Sequence, residues 1–231
     1  EWARESSPLP PIAGAEQSMG MPHPTELAGE RWTPDRVWAE LVQEDQAWPR
    51  YELLEGELVV TPAPKSYDHQ RVIRGLLLRL HAYLEREPVG EVLFAPADIR
   101  LDPASTTQPD LFVLSVGRGA GAADWRGVTG LLLACEALSP GSRRHDRVRK
   151  RRYYAARGVA DYWVVDAESR LFERNGPDER VTVHEETLLW HPAGAREPFV
   201  LDVPAFFAEE LDAWPASPGA SEPGGEASGD G

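Results

Sequence analysis

Cysteine is nearly absent from this sequence: Cys135 stands alone among 231 residues. One thiol makes no internal disulfide and no cysteine-based zinc site, so a reducing cytoplasm is the expected compartment. Long apolar runs are missing too. None approaches the ~20 residues needed to cross a bilayer, and no signal-peptide pattern opens the chain. The six histidines are scattered without HExxH spacing, which excludes that zinc-hydrolase motif. No GxxxxGK loop is present to cradle a nucleotide phosphate. Positive charge is scarce, with 24 Lys and Arg against 38 Asp and Glu, a formal net charge of −14. That balance excludes a protein that coats nucleic acid by general electrostatics, because phosphate contacts need positive surface.

What is present suffices for one core. With 42% hydrophobic residues, one domain is expected over residues 31–212. Residues 1–30 are rich in Pro, Gly, Ser and Glu, and 213–231 in Gly, Pro, Ser and acid; both are expected to be disordered. Met19 and Met21 are candidate starts.

Thr33 and Pro34 open a short helix with Val37, Trp38, Leu41 and Val42 on its apolar face. YELLEGELVV reads as a hairpin, residues 51–54 and 57–60, turning at Glu55-Gly56. Apolar residues at helical spacing place a long helix over 66–86. Strands are expected over 91–101 and 109–115. The nearly continuous apolar run 131–138 suits a strand buried on both faces. A helix over 142–157 stops at Gly158, and strands follow over 162–166, 171–174 and 180–184. Shorter strands fall at 188–190 and 199–201, and a last helix at 204–211. The expected fold is α/β: a mixed central sheet flanked by helices, with an N-terminal hairpin and C-terminal antiparallel strands.

The chemistry concentrates between Gln108 and Tyr154. Asp110 begins one apolar strand and Glu136 sits near the end of the next. In the basic helix that follows, Asp146 and Lys150 lie four residues apart, on one face. Two acids on neighbouring strands with a lysine beside them can hold Mg²⁺ and orient a water near a phosphate. Glu136 interrupts an apolar run, where an unpaired charge is expensive to bury. Either an arginine such as Arg143 or Arg144 pairs with it, or it coordinates a cation. Asp146 has three open roles: fixing the lysine, adding a metal ligand, or making an ordinary helix ion pair. Seven of the ten residues from Arg143 to Arg152 are Arg or Lys, a focused basic patch on an acidic body. Arg143, Arg144, Arg147 and Arg151 are candidate phosphate contacts, which position nucleic acid without reading its sequence. His69, Glu52 and Asp98 are further candidates. Tyr153, Tyr154, Tyr162 and Trp163 read as core.

Pro109-Asp110, Glu136 and a following lysine resemble the PD-(D/E)xK nuclease superfamily. The wider pattern, YELLEGELVVTPAP, His69-Gln70, DIRL, QPDL, CEALSP, the Asp146/Lys150 helix and YYAARGVADYWVVD, resembles the Uma2 family of bacterial endonucleases from about Trp32 to Phe207. The superfamily lysine normally lies two residues after the glutamate, where this chain has Leu138; the Uma2 pattern takes it from the next helix, at Lys150. The resemblance implies a restriction-endonuclease-like core and hydrolysis of phosphodiester bonds in DNA. It also implies Mg²⁺, or Mn²⁺ in its place, held by Asp110, Glu136 and the main-chain carbonyl of Ala137. RNA is the alternative polymer, and a double-strand cut would call for a homodimer. Two rivals remain at this point: a nuclease-fold binding or interaction module without catalysis, and a metal-dependent hydrolase of a small phosphorylated molecule.

Overall fold

The structure, a computed structural model, describes residues 31–42, 49–61, 66–117, 125–139, 143–176, 178 and 180–213. The extensions expected to be disordered, 1–30 and the tail beyond Ala213, lie outside the described residues.

Thr33 caps α1 (Pro34–Glu40), its hydroxyl accepting from the Arg36 amide at 3.2 Å. Val37 and Leu41 are buried as their spacing predicts, but Trp38 is 52% exposed and does not join the apolar face. A step of one residue turns ~100° round a helix, so this short helix buries a narrower stripe than expected. β1 (Arg50–Leu54) and β2 (Glu57–Thr61) form the hairpin, and Glu55 and Gly56 take φ of 52° and 84° at its turn. Two successive left-handed residues match the twist of the flanking strands. Ser66 then caps α2 (Tyr67–Arg86), which buries Val72, Ile73, Leu76, Leu80, Tyr83 and Leu84 on one face.

The run expected as one strand over 91–101 is only β3 (Gly90–Phe94). Pro96 has no amide to extend the ladder, and beyond it the chain makes just an isolated bridge, Ile99 to Thr107. β3 begins one sheet, followed by β4 (Leu111–Ser115), β5 (Leu131–Ala137), β6 (Asp161–Asp166), β7 (Leu171–Asn175) and β8 (Val181–His184) in chain order. Every neighbouring pair is antiparallel except β5 and β6, which run parallel. A parallel pair needs a crossover, and the helical segment between them supplies it.

That crossover differs from expectation. Instead of a regular α-helix, it coils as a π-helix over His145–Lys150 and then continues as α3 (Arg151–Ala156). The wider i→i+5 coil brings Asp146 and Lys150 both to buried positions.

Strand alternation builds two cores. Leu111, Val113, Leu133, Cys135, Trp163 and Val165 pack with α2 and with the C-terminal pair β9 (Thr187–Trp190) and β10 (Phe199–Asp202). Phe112, Leu114, Ala134, Tyr162 and Val164 pack with Leu54, Tyr153 and Tyr154. Both faces of β5 are therefore covered, which is why it reads as an unbroken apolar run. By the same alternation, Glu136 shares its face with Ala134 and points toward the hairpin and α3.

α4 (Val203–Phe207) and the coil after it dock on α2 through Glu210, which accepts from Arg74 and Arg79 at 2.7 Å each. A Cβ at Gly75 would lie 2.2 Å from the Glu210 carboxyl carbon. Alanine favours a helix by about 1 kcal/mol over glycine. Here Gly75→Ala is nevertheless expected to cost about 1–3 kcal/mol, because two arginines hold the carboxylate in place. In a Glu210→Ala background the same change becomes neutral or stabilising, which urea unfolding of the double-mutant cycle reads directly. A stabilising Gly75→Ala in the parent chain would refute this account.

Candidate active site

The β4–β5 register pairs Leu111 with Cys135. One step further along each strand, Asp110 and Glu136 stand opposite each other at the same end of the pair. Asp110 Oδ2 accepts from the Ala137 amide and from His69 Nε2, each at 3.0 Å. Its other oxygen, Oδ1, has only Arg50 at 3.8 Å among the described residues. Helix α2 therefore delivers His69 and strand β1 delivers Arg50 to an aspartate presented by the sheet.

Glu136 joins a second cluster. Lys150 Nζ lies 2.7 Å from Glu136 Oε1, 2.8 Å from Glu52 Oε2 and 3.8 Å from Asp146 Oδ1. All four residues are 3–4% exposed. Glu52 Oε1 accepts from the Gln108 amide at 2.7 Å, tying the hairpin to the segment that leads into Asp110. Tyr162 steadies the crossover by donating its hydroxyl to the Asp146 carbonyl at 3.0 Å.

Four carboxylates thus gather around Lys150 and Arg50, with His69 as a third cation when protonated. Burial pushes the Glu136 carboxyl up, and the negative charges of Asp110, Asp146 and Glu52 add to this against the pull of Lys150. Burial also opposes the Lys150 ammonium, but the surrounding carboxylates outweigh it and hold its pKa well above the ordinary lysine value. At Asp110, burial is outweighed by the hydrogen bond and charge of His69, the charge of Lys150 and the Ala137 amide, so its carboxyl lies below the usual range. His69 is raised: burial works against its charge, and Asp110 more than compensates. His145, at the start of the π-helix, is driven down to about 4 by burial and the nearby Lys150.

The sequence candidates divide accordingly. Asp110, Glu136, Lys150, Asp146, Glu52 and His69 all come together. Asp98 does not reach the cluster; it accepts from the Gln108 side chain at 2.7 Å and so braces the residue that holds Glu52. Ala137, whose carbonyl was the expected metal ligand, lies at the same strand end and donates its amide to Asp110. Glu136 pairs with neither Arg143 nor Arg144. Arg143 instead reaches Asp166 at 3.4 Å and also pairs with Glu168, and Arg147 holds Asp166 at 2.9 Å and Glu173 at 2.6 Å. Two of the four proposed phosphate-contacting arginines are therefore engaged by acids of the β6–β7 hairpin. Arg144 and Arg151 have no acidic partner among the described residues. Arg50, Gln108 and His145 were not anticipated. Arg50 and Gln108 adjoin predicted positions, Tyr51 and Pro109, but carry no motif of their own.

The Asp166 pairing has a pH signature. Burial raises its carboxyl, yet the Ser169 amide and Arg147, with Arg143 behind them, bring it below the ordinary range. A depressed carboxylate contributes stability that is fully present above the unfolded value of ~3.9 and disappears as pH falls through the folded one. Asp166→Asn is expected to cost about 1.5–3 kcal/mol at pH 7, the scale of a hydrogen bond to a charged group. The gap from the parent should narrow below about pH 4, as urea unfolding at both pH values would record. An unchanged gap would rule out the charge as its source.

A mixed sheet whose adjoining central strands present acids beside a buried lysine has the architecture of a restriction-endonuclease-like nuclease. The chain belongs to the Uma2 family, whose model, described as "Putative restriction endonuclease", matches residues 38–203. A similar crystal structure is described as that of "a putative nuclease belonging to DUF820" from Anabaena variabilis. It shares 17% identity at a TM-score of 0.63, over 78% of this chain and 99% of the other. At that identity the likeness establishes the fold. No curated protein matches the chain. Among the described residues, no helix is long and apolar enough to cross a membrane.

Proposed function

We propose that the protein is a divalent-metal-dependent endonuclease that hydrolyses phosphodiester bonds in DNA, with Mg²⁺ as the ion and Mn²⁺ able to replace it. The observation that carries this reading is the meeting of Asp110 and Glu136 at one strand end with Lys150 between Glu136 and Glu52. The donor set suits a small hard cation. Asp110 Oδ1 and Glu136 Oε2 make no hydrogen bond among the described residues, and Mg²⁺ needs only one or two carboxylates alongside its waters. Among the described residues no group of three or more acidic, histidine or cysteine side chains is arranged to hold a metal ion. A two-carboxylate site is the form that fits.

Bound there, the ion would polarise a phosphoryl oxygen and lower the pKa of a water. The chain's own groups would do the rest. His69 and the Ala137 amide fix Asp110 through one oxygen and leave the other to face the site. Lys150 supplies positive charge where the attacked phosphate gains negative charge, an effect strongest in a buried setting. Asp146 holds that ammonium from one turn away, and Arg144 and Arg151 are the helix bases available to the nucleic-acid backbone. The test is conversion of supercoiled plasmid to nicked circles with added Mg²⁺ or Mn²⁺, with chelator as control. A single-stranded RNA of matched length run beside it distinguishes the polymers. Metal-independent retention of DNA without any cleavage would instead mark a binding module; the complete burial of the Lys150 ion pairs is the feature that favours this second reading.

A further inference from the structure

Glu136 has two claimants. Its Oε1 lies 2.7 Å from the Lys150 ammonium, while the proposed metal site draws on the same carboxylate. Lys150 bridges Glu136 to Glu52 at 2.8 Å, with Asp146 Oδ1 at 3.8 Å, so a compact cation already has oxygen donors on several sides. Its side chain is only 3% exposed, which distinguishes it from the surface bases of the same helix. Position 150 also differs in kind from those bases. Of the seven basic residues between Arg143 and Arg152 it alone is lysine, and the sequence holds one other lysine, Lys65. A guanidinium would bind carboxylates as a rigid planar fork; an ammonium is a point charge on a flexible stem that can move without breaking a bidentate pair.

Resting on the metal reading above, we infer that Lys150 and the metal ion compete for Glu136: the ammonium is the resident cation of the site, and the ion enters by driving it off that carboxylate. Two cations on one carboxylate repel at contact distance, and burial strengthens the repulsion. Glu52 and Asp146 give the displaced ammonium a place to remain nearby. Lys150 therefore sets how tightly the ion is held as well as acting on the phosphate. Glu52 belongs to the same device, as the second carboxylate of the resident pair.

The pair of lysines makes the competition measurable on the unaltered chain. Acetylation of the full protein, with and without added Mn²⁺, is quantified at both lysines by mass spectrometry, with Lys65 as internal reference. Lys150 should label poorly without added metal. Its labelling relative to Lys65 should rise about tenfold at Mn²⁺ concentrations where calorimetry records binding, because a tenfold change corresponds to loss of about 1.4 kcal/mol of protection. Calorimetric binding with unchanged Lys150 labelling overturns the inference and leaves the metal reading in place. Absence of calorimetric binding overturns both. A Lys150→Met variant should bind Mn²⁺ about tenfold more tightly than the parent, since the competitor is gone; equal or weaker binding by a folded variant counts against the inference. If that variant does not fold, the labelling of the parent chain decides.

Discussion

Asp110→Ala is expected to reduce metal-dependent plasmid cleavage by roughly 10²–10³-fold, the scale on which removal of one electrostatic catalytic group acts. The physical basis is its position. Asp110 stands just before β4, opposite Glu136, with Oδ2 held by His69 and the Ala137 amide and Oδ1 3.8 Å from Arg50. Asp110→Asn is the sharper variant. An asparagine oxygen can still accept from the Ala137 amide, so the strand end keeps its local hydrogen bond while the negative charge is lost. Cleavage should fall nearly as far as with alanine, whereas the urea midpoint should move less. Calorimetric titration with Mn²⁺ should show weakened binding in both. Cleavage at parental rates in either variant would remove Asp110 from the chemistry and the proposed site with it.

Lys150→Ala is expected to have the largest effect on stability, about 3–5 kcal/mol at pH 7, because it leaves Glu136 and Glu52 buried without their cation. For a chain of this size each kcal/mol corresponds to about 2–4 °C in Tm. Arg152→Ala, an exposed base two residues along, serves as the reference and should stay within about 0.5 kcal/mol of the parent. Equal costs for the two variants would mean that the carboxylate cluster is not held by this ammonium. Added Mn²⁺ should raise the Tm of Lys150→Ala by more than that of Arg152→Ala, since an ion bound by the native state alone stabilises it by mass action and the ammonium no longer competes for Glu136.

Much of the fold was legible because local signals agreed with the tertiary outcome. Thr33-Pro34, Ser66 and Gly56 are cap and turn residues whose conformations depend on near neighbours, and each acts as its residue type predicts, while Glu55 takes a φ of 52° that the two-residue turn imposes. The departures arise where distant groups decide. Trp38 has helical spacing, yet seven residues of α1 bury only a narrow stripe. Nothing local in HDRVRK predicts a π-helix; that coil is stabilised where Asp146 and Lys150 both meet the sheet and the hairpin. The basic run from Arg143 to Arg152 reads as a free positive patch only while its acidic partners are out of view. Asp166, Glu168 and Glu173 lie 19 or more residues away from the arginines they pair with, and no spacing rule relates them.

By itself the sequence determined the order of the strands and helices, the apolar positions that fill the interior and the short roster of acids and bases that are candidates for chemistry. Those properties follow from periodicity, capping and the cost of burying charge, all of which act over a few residues. Only the tertiary structure decided which charges face one another. Glu52 and Lys150 are 98 positions apart in the chain and 2.8 Å apart in space, and His69 meets Asp110 across 41. Electrostatic pairing depends on distance through space, so the division of the arginines between structural partners and free bases, and the place of Lys150 between two carboxylates, became fixed only when strands, hairpin and crossover were packed together.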